Sequence, residues 1–170
     1  TWVIRTKHVW LTIKDGMVMS SAGIDESNSP DGKLILLPKD SFKTARNLRR
    51  KLKKHYRVKN LGVLITDSRT MPLRSGVIGA TLGYAGFKGV RPYCDTKDLF
   101  GRVFKFSRTN VADSLSTAAV LVMGEGLERS PLALIKKAPI EFCDKINRKE
   151  LHIDIQDDMY RPLFSKLPKS

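Results

Sequence analysis

The chain has 170 residues, 41% of them apolar, and its 31 Lys and Arg against 17 Asp and Glu give a formal net charge of +14. That length and apolar content suffice for one packed domain, and Cys94 and Cys143, far apart and outside any CxxC spacing, suggest neither a disulfide framework nor a zinc site. No apolar run approaches the roughly 20 residues that span a bilayer, and no secretory signal opens the chain, so a soluble cytoplasmic protein with an acidic partner is expected.

Val9 to Ile13 and Met17 to Met19 alternate around Lys14-Asp15-Gly16, a hairpin turn signal. The loop Ser21 to Asn28 then concentrates two carboxylates, an amide and hydroxyls. Lys33 to Leu37 reads as a compact strand ended by Pro38, after which Asp40 or Ser41 can cap a helix. Phe42, Ala45, Leu48, Leu52 and Tyr56 recur at three- and four-residue steps, which predicts one buried stripe. Arg46, Arg49, Arg50, Lys51, Lys53, Lys54, His55 and Arg57 are then the solvated face; a nucleic-acid stripe is disfavoured because only Tyr56 interleaves as a stacking aromatic.

Val63-Leu64-Ile65 predicts a central strand buried on both faces, whose end delivers Asp67 and Ser68 to the surface. Glycines at 76, 79, 83, 86 and 89 punctuate Val77 to Val90, a spacing for strands that another backbone or a ligand approaches closely. No Lys-Ser or Lys-Thr pair follows them, so this is no phosphate-cradling loop. Arg102 to Phe106 reads as a further strand. Thr109 or Asn110 caps a second helix through Ala112, Leu115, Ala118, Ala119, Leu121 and Val122, stopped by Gly124 and expected to be buried. Leu132 to Ile135 reads as a late strand, and the stretch from Pro139 onward, with Pro162 and Pro168, as a peripheral tail.

Three acidic positions stand at the ends of apolar elements: Asp25 in Gly23 to Asn28, Asp67 beside Ser68, and Glu125 in Met123-Gly124-Glu125-Gly126. Hard oxygen donors of this kind suit divalent cations, although turn chemistry accounts for any one cluster alone. His8, His55 and His152 form no catalytic spacing, and Ser114 and Ser116 sit mid-helix without a nucleophile elbow.

Together, GIDESN at 23–28, LGVLITDS at 61–68, PLRSGVIGATLGYAGF at 72–87, DLFGR at 98–102 and NVADSLSTAAVLVMGEG at 110–126 resemble the coenzyme F-420 gamma-glutamyl ligase family. The resemblance implies an α+β fold of mixed sheets, with the long basic helix and the buried Ala-rich helix, in an interlocked homodimer. It implies a ligase core over 1–138 that lacks the family's N-terminal segment, followed by a peripheral tail over 139–170. The implied activity joins the amino group of L-glutamate to an acceptor carboxylate through an acyl phosphate, splitting GTP, or ATP, with Mg²⁺ or Mn²⁺. Arg69-Thr70-Met71-Pro72-Leu73-Arg74 departs from the Phe-Gly-Arg-Pro-Trp-Arg of members that make the deazaflavin, which resembles a bacterial branch tied to folate. A folate-like acceptor is therefore expected first and the deazaflavin F-420-0 second. Carried over, Asp25, Asp67, Ser68 and Glu125 match metal ligands, with Glu26 ranked behind Asp25. Asn28, Met123, Gly124, Gly126 and Ser130 match nucleotide contacts, and Arg74 is expected to hold an acidic substrate or phosphoryl charge. A basic nucleic-acid-binding module built on a degenerate ligase scaffold is the competing expectation.

Overall fold

The computed structural model describes residues 3–164 and divides the chain into two compact units, Thr1–Leu37 with His152–Ser170, and Pro38–Leu151. Among the described residues the fold is α+β, with small antiparallel sheets and two α-helices. None of those helices is long and apolar enough to cross a membrane.

The first unit holds a meander of β1 (Val3–Arg5), β2 (Trp10–Lys14) and β3 (Met17–Ser20). The expected turn closes it: Asp15 and Gly16 both take positive φ, 53° and 76°, and Lys14 pairs with Met17 across them. Thr12 is buried, donating to the Met19 carbonyl at 2.9 Å and accepting from the Ala22 amide at 3.1 Å, which fixes the entry to the acidic loop. The strand expected over Lys33 to Leu37 does not form. Only Ile35 bridges back to Asp25, and Leu34 and Leu36 remain exposed, so that apolar run lacks a strand partner.

The second unit is built on a hairpin of β4 (Val63–Thr70) and β5 (Val77–Ala85), flanked by α1 (Ser41–Tyr56) and α2 (Val111–Met123). Asp40 caps α1 by accepting from the Lys43 amide at 2.8 Å, and Asn110 caps α2 by accepting from the Asp113 amide at 3.0 Å. The register shifts between Ile65, paired with Gly83, and Thr66, paired with Thr81. Paired residues share a face and neighbours alternate, so this bulge turns Gly83 to the face opposite Gly79 and Thr81.

Each glycine admits a helix backbone. A Cβ on Gly79 would lie well inside 3.0 Å of the Ser116 carbonyl and 2.8 Å from the Thr117 nitrogen of α2; one on Gly83 would lie 2.6 Å from the Phe42 nitrogen of α1. Thr81 and Ser116, both buried, join hydroxyls at 2.7 Å, and the Thr117 hydroxyl donates to the Gly79 carbonyl at 2.9 Å. A third ladder pairs β6 (Val90–Pro92) with β7 (Arg108–Asn110).

The core centres on Tyr84, Phe87 and Ala112, with Phe42, Leu64, Leu115, Ile140, Ile146 and Leu151 packed against them. Several expectations change here. β4 is half-buried along most of its length in a two-stranded ladder, and Asp67 and Ser68 lie within it rather than past its end. The α1 stripe is turned: Ala45 is buried, but Leu48, Leu52 and Tyr56 are exposed. Arg49 takes the inward place, donating to the Leu61 carbonyl and pairing with Asp144 at 2.8 Å each.

α2 buries only one side, leaving Leu121 and Val122 exposed. Arg102 to Phe106 offers a single bridge, Val103 to Lys97, and Leu132 to Ile135 forms no strand. Residues 139–151 belong to the second unit. Phe142 bridges Phe87, and the Glu150 carboxylate accepts from the Tyr84 hydroxyl and from the Gly89 amide, the latter at 2.8 Å. Pro162 lies in the first unit, and Pro168 lies outside the described residues.

Candidate functional site

The β4–β5 hairpin and the end of α2 bring two of the expected site residues together. Ser68 pairs with Gly79, so it lies on the face against which α2 packs. Gly124 stops α2 with φ of 76°, its amide bonding the Val120 carbonyl at 2.9 Å, and the chain turns so that Glu125 meets Ser68. The Ser68 hydroxyl donates to Glu125 Oε1, joining residues 57 positions apart. Beyond them Glu128 folds back to accept from the Gly126 amide at 2.7 Å, and the Ser130 hydroxyl bonds the Glu128 carbonyl at 3.2 Å. Met123, Gly124, Glu125, Gly126 and Ser130 thus form one structured turn beside the hairpin.

Asp67, although adjacent to Ser68, pairs with Ala80 and points to the other face. Its carboxylate lies 3.4 Å from the Arg69 guanidinium, whose side chain is 9% exposed. Asp67 and Ser68 therefore project from opposite faces of β4.

Asp25 belongs to the first unit. Its carboxylate accepts from the Ser27 hydroxyl at 2.7 Å and the Ser27 amide at 2.9 Å, and these bonds hold its pKa below the ordinary carboxylate value, burial opposing them weakly. Asn28 is exposed in the same loop at φ of 54°. Glu26 supplies its carbonyl to the Ser29 hydroxyl at 2.9 Å. Arg74 is exposed in the hairpin turn, its amide bonding the Met71 carbonyl at 3.2 Å. Tyr84 and Phe87 are buried at 0% and 1%, which makes both packing residues rather than stacking surfaces.

Among the described residues no group of three or more His, Cys, Asp and Glu side chains is placed to hold a metal ion. The donors that do meet are nevertheless of the right chemistry. Ser68 gives its proton to Glu125 and keeps lone pairs, and Mg²⁺ needs only one or two carboxylates when phosphate oxygens and water complete its shell. Ser68 and Glu125 would hold such an ion beside a bound polyphosphate.

Arg69 and Glu128 were not singled out by the motifs. Arg69 was legible as the i+2 neighbour of Asp67, on the same face of a strand. Glu128 was legible as the acid following a Gly-Glu-Gly turn.

A profile of the F420-0:Gamma-glutamyl ligase family matches residues 1–137. The chain is 40% identical over 124 residues to the Coenzyme F420:L-glutamate ligase of Methanopyrus kandleri, covering 73% of this chain and 49% of that protein. Over 159 residues it is 38% identical to the Coenzyme F420:L-glutamate ligase of Methanococcus maripaludis strain C7, covering 94% of this chain and 60% of that protein. With the protein of the same description from Methanocaldococcus jannaschii it shares 34% over 148 residues, 87% of this chain and 58% of that protein. The chain belongs to the F420-0:Gamma-glutamyl ligase family, as its motifs led one to expect. It spans about half to three fifths of the length of these curated relatives.

Proposed function

We propose that this chain serves a gamma-glutamyl ligase that forms an amide between L-glutamate and a carboxylate of F-420-0. The observation that carries the reading is the meeting of Ser68 and Glu125 in a chain whose relatives are named for that reaction. A carboxylate is a poor electrophile, so amide formation requires activation; transfer of the terminal phosphoryl of GTP, or ATP, gives an acyl phosphate that the glutamate amine displaces.

Mg²⁺ or Mn²⁺ would supply charge neutralisation at the phosphates. Ser68 and Glu125 would hold it on one face of the hairpin, while Asp67, on the opposite face, and Asp25, in the first unit, are proposed as separate oxygen donors. The turn bearing Met123, Gly124, Gly126 and Ser130 would lie against the nucleotide. Arg74 takes the acidic acceptor or the phosphoryl charge, a role suited to a guanidinium facing solvent. The working form is a homodimer.

A folate-like acceptor is the second reading, favoured by the departure at 69–74. The test offers the chain glutamate, GTP or ATP and Mn²⁺ with F-420-0 or tetrahydrofolate in turn, and reads product masses. F-420-0 is expected to gain a glutamyl residue. A gain on tetrahydrofolate alone makes folate the acceptor. If neither gains mass, and the chain instead binds nucleic acid with steep salt dependence, it is a binding scaffold.

A further inference from the structure

Lys43, Arg46, Arg50 and Lys54 of α1 follow one another at steps of three, four and four residues, which lines them along one face of the helix, and all four are exposed. That face points away from Ala45, the residue α1 buries. At 1.5 Å per residue the row runs for about 16 Å, with neighbours on the order of 5–6 Å apart. Leu48, Leu52 and Tyr56, although exposed, fall on the other side of the helix.

A helix kept charged for solubility alone would mix its signs, because like charges at these spacings repel. The first turn of α1 holds no acidic residue, although the helix dipole favours one there, and it carries Lys43 instead. The carboxylates nearby serve other cations: Asp40 pairs with Arg148 at 2.6 Å and Asp144 with Arg49 at 2.8 Å. The row is thus charged at a cost to the helix, and an external polyanion relieves that cost.

We propose that this row is a contact surface for the phosphate backbone of double-stranded DNA. The row offers no apolar side chain to enter a bilayer and no aromatic to stack on an unpaired base, whereas a duplex backbone needs only cations. The major groove of B-form DNA is about 12 Å wide and admits an α-helix, which the deep, narrow groove of duplex RNA does not. The net charge of +14 draws the duplex in. α1 and α2 pack on opposite faces of the hairpin, so this surface lies apart from Ser68 and Glu125.

The test follows binding of the full chain to a short fluorescein-labelled DNA duplex by anisotropy, between about 50 and 200 mM salt. Four phosphate contacts should contribute about −3.6 to the slope of log affinity against log salt. Arg46→Gln, Arg50→Gln and Lys54→Gln together should remove about 2.7 of that slope and weaken binding at least about ten-fold at the lower salt. Lys105→Gln, Lys136→Gln and Lys137→Gln together take the same charge from exposed positions elsewhere and should stay within about two-fold of wild type. Gln is a good helix former, so the circular dichroism should not change. Should it change, Arg50→Gln alone makes the same comparison, with a slope loss of about 0.9.

A wild-type chain that does not bind the duplex overturns the proposal. Equal losses in the two triple variants overturn it as well, because bulk charge and not the row would then carry the binding. Tighter binding to duplex RNA, or to phosphatidylserine vesicles, than to DNA overturns the choice of partner and the proposal with it.

Discussion

Gly79→Ala tests the arrangement that places Glu125 beside Ser68. The added methyl would sit well inside 3.0 Å of the Ser116 carbonyl and 2.8 Å from the Thr117 nitrogen, whereas ordinary contact begins at 3.4 Å. These are backbone atoms and cannot rotate away, so α2 has to withdraw from the hairpin. Withdrawal loosens the Thr117 to Gly79 bond and the buried Thr81 to Ser116 hydroxyl pair. Overpacking costs about 1–3 kcal/mol, and each weakened buried hydrogen bond costs up to about 1 kcal/mol. A loss of about 2–4 kcal/mol is expected on combining the two.

Urea unfolding followed by circular dichroism measures it, with Mn²⁺ affinity read on the same samples. Gly126→Ala is the control, since its methyl would meet only Glu128 Oε2 at 3.4 Å, and a change within about 0.5 kcal/mol is expected there. If Gly79→Ala unfolds at the same urea concentration as wild type, α2 does not depend on the bare strand at 79 and the packing argument is wrong.

Burial, and then the Glu150 carboxylate, push the Tyr84 phenol above the ordinary tyrosine value of 10.0. Below that pH both folded and unfolded chains keep the proton; above it the unfolded chain alone releases it, so stability is lost as pH rises past about 10. Tyr84→Phe should flatten that part of the stability profile, and a profile unchanged by the substitution would refute the assignment. In the acidic loop, Ser27→Ala removes the largest cause of the depressed Asp25 pKa, so that pKa should rise toward 3.8. A ¹³C-carboxyl titration that shows no rise would mean the Ser27 hydroxyl does not hold Asp25.

Local signals in the sequence predicted local structure. Asp15-Gly16 made the turn, Asp40 and Asn110 made the caps, and Gly124 ended α2, because each acts through a few neighbouring residues. The runs at 33–37, 102–106 and 132–135 misled because an apolar run becomes a strand only when another strand bonds it, and partners are set by tertiary structure. The α1 stripe was misplaced by the rule that charges face water. Arg49 turns inward because a distant carbonyl and carboxylate, at 61 and 144, satisfy it. The role of 139–151 was hidden for the same reason, since Glu150 finds its donors at Tyr84 and Gly89. Of the site, the residue types were visible and the pairing was not. Strand alternation alone would have separated Asp67 from Ser68, but only the fold could show that Ser68 meets Glu125.

The polar contacts between α2 and β5 explain how an exposed carboxylate can be held for chemistry. Asp113 in the first turn accepts from the Thr81 amide, and Ser116 and Thr117 in the middle bond Thr81 and Gly79, so the helix is pinned along the hairpin before it reaches Gly124. Each of these bonds has direction, so together they resist sliding, which the apolar contacts of an Ala-rich helix would resist less. Glu125, one residue past the stop, inherits that placement and needs only the Ser68 hydroxyl to fix its orientation. A donor pair set in advance spends less conformational entropy when a ligand arrives. The small residues of β5 and the hydroxyls of α2, which read as packing detail, are therefore what ties the fold to its candidate chemistry.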